Sequence, residues 1–160
     1  IVDNYEFIKK LQDNKRSKFV TDFPTFQLIH QASTKNDVIL LPHIGASTQE
    51  AEINCAEMAA EQISNFLKNG IINNSVNFPT IRLSRSTKYR LVVINLNEPG
   101  MIGMITDEIG ALNINIADMT HKTRDKIGIS LIDLETEPNN LLINNIQNLE
   151  NVISIRVCKQ

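Results

Sequence analysis

Cysteine is scarce: Cys55 and Cys158 are the only two in 160 residues. They form neither a CxxC pair nor a zinc-binding spacing. The expectation is two reduced, mostly buried thiols in a cytoplasmic protein, with no disulfide framework and no metal site. Long apolar runs are also missing. The longest purely aliphatic stretches, such as Val38-Ile39-Leu40-Leu41, fall far short of the ~20 residues a membrane helix needs. Charge of one sign is not concentrated: the net charge is −2 and Lys and Arg are scattered, which leaves no electrostatic footprint for nucleic acid. The opening Ile1-Val2-Asp3-Asn4-Tyr5-Glu6 has no Met, no basic region and no cleavage site. It reads neither as a secretory signal nor as a natural start. No internal repeat is visible.

What is present is the balance of a globular protein, with 42% hydrophobic and 21% charged residues, enough for one ordinary domain or a small domain with a remnant. Tyr5, Ile8 and Leu11 predict a short amphipathic helix over 4–14, with Asp3 as its cap. Lys18 to Thr21 reads as a short buried strand, 25–36 as loop with room for one helical turn, and Val38 to Leu41 as a strand buried on both faces of a parallel sheet. A long helix follows over 48–69. Ser47-Thr48-Gln49-Glu50 resembles a capping box, Ile53, Ala56, Ala60, Ile63 and Leu67 repeat at helical spacing, and Gly70 stands just past the end.

Residues 71–86 are polar and irregular and read as a linker. Beyond them Tyr89 to Leu96 predicts a strand, and Pro99-Gly100 opens a helix to about Ala111. Ile114 to Met119 predicts a second strand, and Lys122 to Asp125 a charged turn. A third strand begins at Ile127, a helix has Pro138 in its first turn, and Val152 to Val157 closes the set. The order βαββαβ is the ferredoxin-like arrangement.

Pro42-His43-Ile44-Gly45-Ala46-Ser47-Thr48 lies between a buried strand and a capped helix. His43 should therefore sit at the carboxyl end of a parallel strand, where open α/β sheets place ligands. An imidazole there suits general acid/base work, although a loop His that merely packs fits the spacing as well. Asn97 precedes a helix N-terminus, Gly100 allows close backbone approach, and Asn115 begins the next strand. These are either the polar contacts of a small ligand or ordinary turn and strand-edge residues.

The LPHIGAST segment resembles the one that holds the catalytic His in NAD-dependent D-2-hydroxyacid dehydrogenases, phosphoglycerate dehydrogenases in particular. Ile1-Val2-Asp3, Val20 to Pro24 and Asn74 to Pro79 resemble flanking segments of that family in the same order. The resemblance implies an α/β remnant of a Rossmann-type body. Residues 1–46 would end the NAD-binding domain, 47–72 form a helix returning to the substrate domain, 73–86 link, and 87–160 form the regulatory domain. It further implies that His43 exchanges the substrate hydroxyl proton, with Asp22, His43, Ile44, Gly45 and Ala46 near the nicotinamide. The family's catalytic Arg would fall just before Ile1, and its glycine-rich dinucleotide fingerprint is not in the sequence. Where the family carries a Glu that pairs with the His, Phe26 stands here.

Asn97-Glu98-Pro99-Gly100-Met101-Ile102-Gly103, with Asn113 to Met119 downstream, resembles the ACT-domain pattern, an α+β fold. In serine-regulated phosphoglycerate dehydrogenases the two Asn positions contact L-serine, helped by a His that is Asn95 here. The implied whole is an oligomeric, allosterically regulated dehydrogenase that converts 3-phosphoglycerate to 3-phosphohydroxypyruvate with NAD, the first step of L-serine biosynthesis. Its copies would meet through ACT domains and sense L-serine or another small amino acid at Asn95, Asn97 and Asn115. The alternative is a non-catalytic ACT-type module that binds an amino acid or only dimerises. Other βαββαβ modules fit less well, since there is no CxxC for copper and there are no strand aromatics on a basic face for RNA. Because the glycine-rich fingerprint is not among these 160 residues, the chain alone should neither oxidise 3-phosphoglycerate nor bind NAD. Calorimetric titration should show no heat of binding at micromolar NAD.

Overall fold

A computed structural model describes residues 6, 9–10, 18–34 and 38–160. The helix expected over 4–14, with its Asp3 cap, lies largely outside the described residues. The chain divides into two compact units, Ile1–Asn54 and Cys55–Gln160.

In the first unit, β1 (Phe19–Thr21) and β2 (Val38–Leu40) pair in parallel, with Phe19 opposite Val38 and Thr21 opposite Leu40. Between them runs α1 (Phe26–Thr34), which corrects the expected loop. Thr25 Oγ1 accepts from the Leu28 amide at 3.4 Å, and Leu28 and Ala32, one helical turn apart, pack with Phe19, Val38 and Leu40. The Ser33 and Thr34 hydroxyls donate back to the His30 carbonyl at 2.7 and 3.1 Å. Residues that favour loops thus finish the helix here rather than prevent it. Val38 is buried but Ile39 is exposed, so within this unit β2 has one open face, not the two covered faces its unbroken apolar run suggested.

The long helix α2 (Gln49–Asn69) begins in the first unit and ends in the second. Its cap is Thr48, whose Oγ1 accepts from the Ala51 amide at 3.2 Å. The cap is therefore one residue later than Ser47. Ile53, Met58, Ile63 and Leu67 are all exposed. At the far end the Gly70 amide donates to Phe66 O at 2.8 Å, with Gly70 in the left-handed region at φ 70°. A Cβ at Gly70 would collide with Val92 and lie 2.8 Å from Leu131 Cδ2, so glycine is needed for both backbone and space.

The second unit is an α+β domain built on β3 (Tyr89–Leu96), α3 (Met101–Ala111), β4 (Ile116–Arg124), β5 (Ile127–Leu134), α4 (Asn140–Gln147) and β6 (Val152–Lys159). The observed order is βαββαβ, as read from the sequence. The four strands form an antiparallel sheet in the order β4-β5-β3-β6. Strand β4 starts later and runs longer than expected. Asn113 takes φ 54° and Ile114 N donates to Ile109 O at 3.3 Å, which holds Ile114 against the helix end before the strand begins. Lys122 to Arg124 belong to β4, and Arg124 already pairs with Ile127. The charged turn shrinks to Asp125-Lys126, with Asp125 at φ 52°. Pro138 precedes α4, which is capped by Asn139 Oδ1 accepting from Leu142 N at 2.9 Å.

Strand alternation gives the sheet two faces. Leu91, Val93, Ile132 and Leu134 meet Met101, Ile105 and Ile109 of α3 and Leu142 and Ile146 of α4. On the other face, Val92, Ile129, Leu131 and Cys158 are covered by Ile72 and Ile81, with Phe66, Phe78 and Leu83 beside them. The irregular 71–86 segment is thus laid along the sheet, and Ile72 and Ile81 exchange backbone hydrogen bonds of 3.1 Å.

A buried ion pair fixes this second layer. Arg90 and Asp133 are both 0% exposed. Arg90 Nε and Nη2 donate to Asp133 Oδ1 and Oδ2 at 2.5 and 2.8 Å. Nη1 also donates to Asn69 O at 3.1 Å and Leu83 O at 2.9 Å, and Nη2 to Ser84 O at 3.2 Å. Asp133 Oδ2 accepts from both the Ser86 amide and hydroxyl at 2.9 Å. Burial pushes the Asp133 carboxyl up, but the Arg90 hydrogen bonds, Ser86 and the Arg90 charge outweigh it and hold the pKa below 3.8. Removing one partner strands a buried charge, so Arg90→Ala or Asp133→Ala should each cost about 3–5 kcal/mol, read from urea unfolding. Because the folded pKa is depressed, this stability is complete above the ordinary carboxylate pKa and is lost as pH falls through the folded value. Asp133→Asn should therefore flatten the acid limb of the stability curve.

Candidate functional site

The first constellation lies at the carboxyl ends of β1 and β2. Asp22 directly follows β1, and His43 stands three residues after β2 ends. The Leu41 amide donates to Thr21 O at 2.9 Å, carrying the two strand ends forward together. His43 Nδ1 lies 3.1 Å from Asp22 Oδ2, and the Phe23 ring meets the imidazole edge-on with centroids 5.2 Å apart. Asp22 is thus a carboxylate partner of His43, while Phe26, at the start of α1, is 85% exposed. The resemblance placed Asp22 beside the nicotinamide and left the His partner open, and the pairing of the two was not legible from spacing. Ile44, Gly45 and Ala46 are exposed, and a Cβ on Gly45 would meet nothing within 4 Å. The loop is open to a ligand along its whole length.

The second constellation is a hollow of about 300 Å³ between the sheet and the start of α3. Asn95, Asn97, Glu98, Gly100, His121 and Thr123 line it together with the first turn of the helix. The N-cap of α3 is Gly100 at φ 87°, which brings no side-chain acceptor. The first-turn amides are therefore left for a ligand or solvent. Asn95 is 1% exposed. Its Nδ2 donates to Leu96 O at 2.6 Å, and its Oδ1 is buried with no hydrogen-bond partner among the described residues. Asn97 is a turn residue: its amide donates to Lys126 O at 2.9 Å and its Nδ2 to Asp125 O at 3.1 Å, tying the β4–β5 hairpin to the rim.

Asn95 and Asn97 share this hollow, but Asn115 does not. It precedes β4 at the end where Ile116 pairs with Leu134, whereas Asn95 pairs with Gly128 near the opposite end. Sequence reasoning missed His121, which lies between the expected strand end at Met119 and the charged turn expected from Lys122. Alternation of β4 opposite Gly128 and Ser130 would have found it, had the strand been drawn to Arg124. His121 Nδ1 is 2.8 Å from Ser130 Oγ, and burial lowers its pKa from 6.5. Gly128 makes the hollow possible, since a Cβ there would lie 2.9 Å from both Asn95 Nδ2 and His121 Cε1.

No family model matches the sequence. D-3-phosphoglycerate dehydrogenase of Haemophilus influenzae is 36% identical over 124 residues, which cover 76% of this chain and 30% of that protein. The enzyme of the same name from Dictyostelium discoideum is 33% identical over 122 residues, with the same two coverages of 76% and 30%. Among solved structures, the ACT domain of GTP pyrophosphokinase from Chlorobium tepidum aligns at TM-score 0.39 and 15% identity, over 43% of this chain and 94% of that one. An ACT domain protein from Streptococcus pneumoniae aligns at 0.38 and 17%, over 44% and 86%.

By its own architecture the second unit is an α+β domain of βαββαβ order with a polar hollow at a helix N-terminus. Over about three quarters of its length the chain is a homologue of the D-3-phosphoglycerate dehydrogenases. It spans about 30% of the length of the relatives named above.

Among the described residues, no helix is long and apolar enough to cross a membrane. Gly128→Ala should push the Asn95 and His121 side chains apart at a cost of about 1–3 kcal/mol for overpacking. The amide chemical shifts of Asn95, His121 and Ser130 should move while those of α4 stay in place.

Proposed function

We propose that residues 87–160 are an ACT-type regulatory domain that binds a small amino acid, L-serine first among the candidates, and that serves a phosphoglycerate dehydrogenase. The observation that carries this reading is the hollow at the start of α3, which is lined both by the uncapped first turn of the helix and by Asn95, whose buried Oδ1 has no partner among the described residues. Helix amides suit a carboxylate, and a buried carbonyl oxygen suits an ammonium group. Asn97 holds the rim in place.

Asn115 joins the site from a second copy. Strand β4 is an edge strand of the sheet, and an uncovered edge tends to pair with a symmetric copy. Two β4 strands pairing antiparallel about a two-fold axis would bring Asn115 of one copy to the Arg124 end of the other, beside the hollow. The dimer is thus part of the sensor, and a purely dimerising module is the reading that remains if no ligand binds.

For the first unit, the proposal is that residues 1–46 close the NAD-binding domain of the same dehydrogenase. Residues 47–72 would return to its substrate domain and 73–86 link to the sensor. His43 would hold and exchange the proton of the substrate hydroxyl, with Asp22 orienting the imidazole and Ile44, Gly45 and Ala46 next to the nicotinamide. The exposed His43–Asp22 pair and the open Gly45 backbone support this. NAD would accept the hydride in the whole protein, which is expected to be cytoplasmic.

Thermal-shift and calorimetric titration with L-serine, glycine and L-alanine at millimolar concentration tests the sensor. At least one should raise the melting temperature and release or absorb heat. Asn115→Ala removes one polar partner, a loss of about 1–3 kcal/mol, and should weaken binding roughly ten- to a hundredfold. Light scattering at micromolar concentration should report a dimer. If all three ligands leave melting and heat unchanged, the domain does not sense small amino acids.

A further inference from the structure

Cross-strand register explains what surrounds the hollow. On the face toward α3, one row of the sheet reads Asn95, Gly128, Thr123, and the row beneath it reads Val93, Ser130, His121. The smallest residue stands in the middle of the upper row. The side chains of Asn95 and His121 converge over it from the two flanking strands, each 2.9 Å from where a Gly128 Cβ would be. The lower row supplies the Ser130 hydroxyl that meets His121 Nδ1 at 2.8 Å. This contact fixes the ring and leaves Nε2 as its free nitrogen.

Resting on the reading of this hollow as an amino-acid site, we propose that His121 is a ligand-contacting residue. Its neutral Nε2 and Asn95 Oδ1 together accept the ligand ammonium, which makes binding proton-linked. The carboxylate would meet the amides of Met101 to Gly103. In the tautomer whose Nδ1–H donates to Ser130 Oγ, Nε2 carries a lone pair and no proton. Protonating it replaces an acceptor with a positively charged donor facing another cation, so affinity falls. Among the hollow-lining residues, Glu98, in the loop before α3, is the other titratable side chain. Facing His121, β3 presents Val93 and Asn95, β5 presents Gly128 and Ser130, α3 presents Met101, Ile102 and Gly103, and β4 itself adds Thr123. None of these is charged. Burial is the cause that lowers the imidazole pKa below 6.5, so the ring is neutral at pH 7 and the transition lies on the acid side.

The test is calorimetry of the 160-residue chain with L-serine, glycine and L-alanine from pH 5 to pH 8, on wild type, His121→Gln, His121→Leu and Glu98→Gln. Wild-type affinity should be level between pH 7 and 8. It should fall by up to tenfold per unit once pH drops below the imidazole pKa. Gln retains an acceptor but does not titrate, so His121→Gln should bind within a few-fold of wild type with a flat profile. His121→Leu should lose at least tenfold at pH 7.5 while its circular dichroism stays unchanged. A profile that Glu98→Gln levels across this range would move the proton linkage from His121 to Glu98 and overturn the proposal. Binding by His121→Leu equal to wild type, or a level wild-type profile down to pH 5, overturns the role of His121 and leaves the sensor standing. Failure of wild type to bind any of the three overturns the sensor itself.

Discussion

The architecture of the second unit depends on the buried pair Arg90–Asp133. Two opposite charges out of water are stable only when nearly every donor and lone pair is engaged. This pair therefore needs the carbonyls of Asn69, Leu83 and Ser84 and both donors of Ser86. Those partners come from the end of α2 and from the irregular segment after it. Satisfying one guanidinium thus forces a stretch of polar sequence to lie across the sheet. Once there, it covers Val92, Ile129 and Leu131 with Ile72 and Ile81, a face that would otherwise be an open apolar patch. Arg85 strengthens the strap by donating to Cys158 O at 3.1 and 3.2 Å. Arg156 does the same from β6, donating to Phe66 O at 2.5 Å while its guanidinium stacks 4.5 Å over the Phe66 ring.

Much of this was legible because local signals are strong where hydrophobic period and turn chemistry agree. The βαββαβ order, the Pro99-Gly100 helix start and the glycine closing α2 all follow from periodicity and backbone preference. The strap did not. Arg90 is the charged residue of an otherwise largely apolar strand, and nothing local reveals that Asp133 pairs opposite it. Helix α1 was hidden because its hydroxyl residues satisfy their own backbone at the end, a competition that composition alone cannot decide. At the candidate sites, Asn95, Asn97 and His43 were visible by motif. His121 and the carboxylate partnership of Asp22 exist only through pairing between strands.

The two candidate sites also differ in what their geometry requires. The His43–Asp22 contact is a solvent-exposed pair, and such pairs contribute ~1 kcal/mol or less to stability. What the pair does is hold Asp22 and His43 together at the two strand ends, which a short βαβ unit can do at little cost. The hollow at α3 instead keeps the Asn95 carbonyl oxygen buried without a partner among the described residues, an arrangement that costs about 1–3 kcal/mol unless something fills it. Such a penalty is carried more readily by a domain with a complete two-sided core.

The clamp and the hollow are linked through strand register. Arg90 opposite Asp133 and Asn95 opposite Gly128 are two rungs of one β3–β5 ladder. A sheet slipped by one residue would turn every side chain of the moved strand to the other face. It would also set Ile127 or Ile129 against Asn95 in place of glycine, and the hollow would close. The ion pair tolerates no such slip, because its two side chains must point to the same face and reach both the end of α2 and the segment after it. The register that the buried charges enforce on one side of the sheet therefore keeps glycine at the centre of the polar row on the other side. A strap that looks like a linker thereby holds the candidate binding site open from behind.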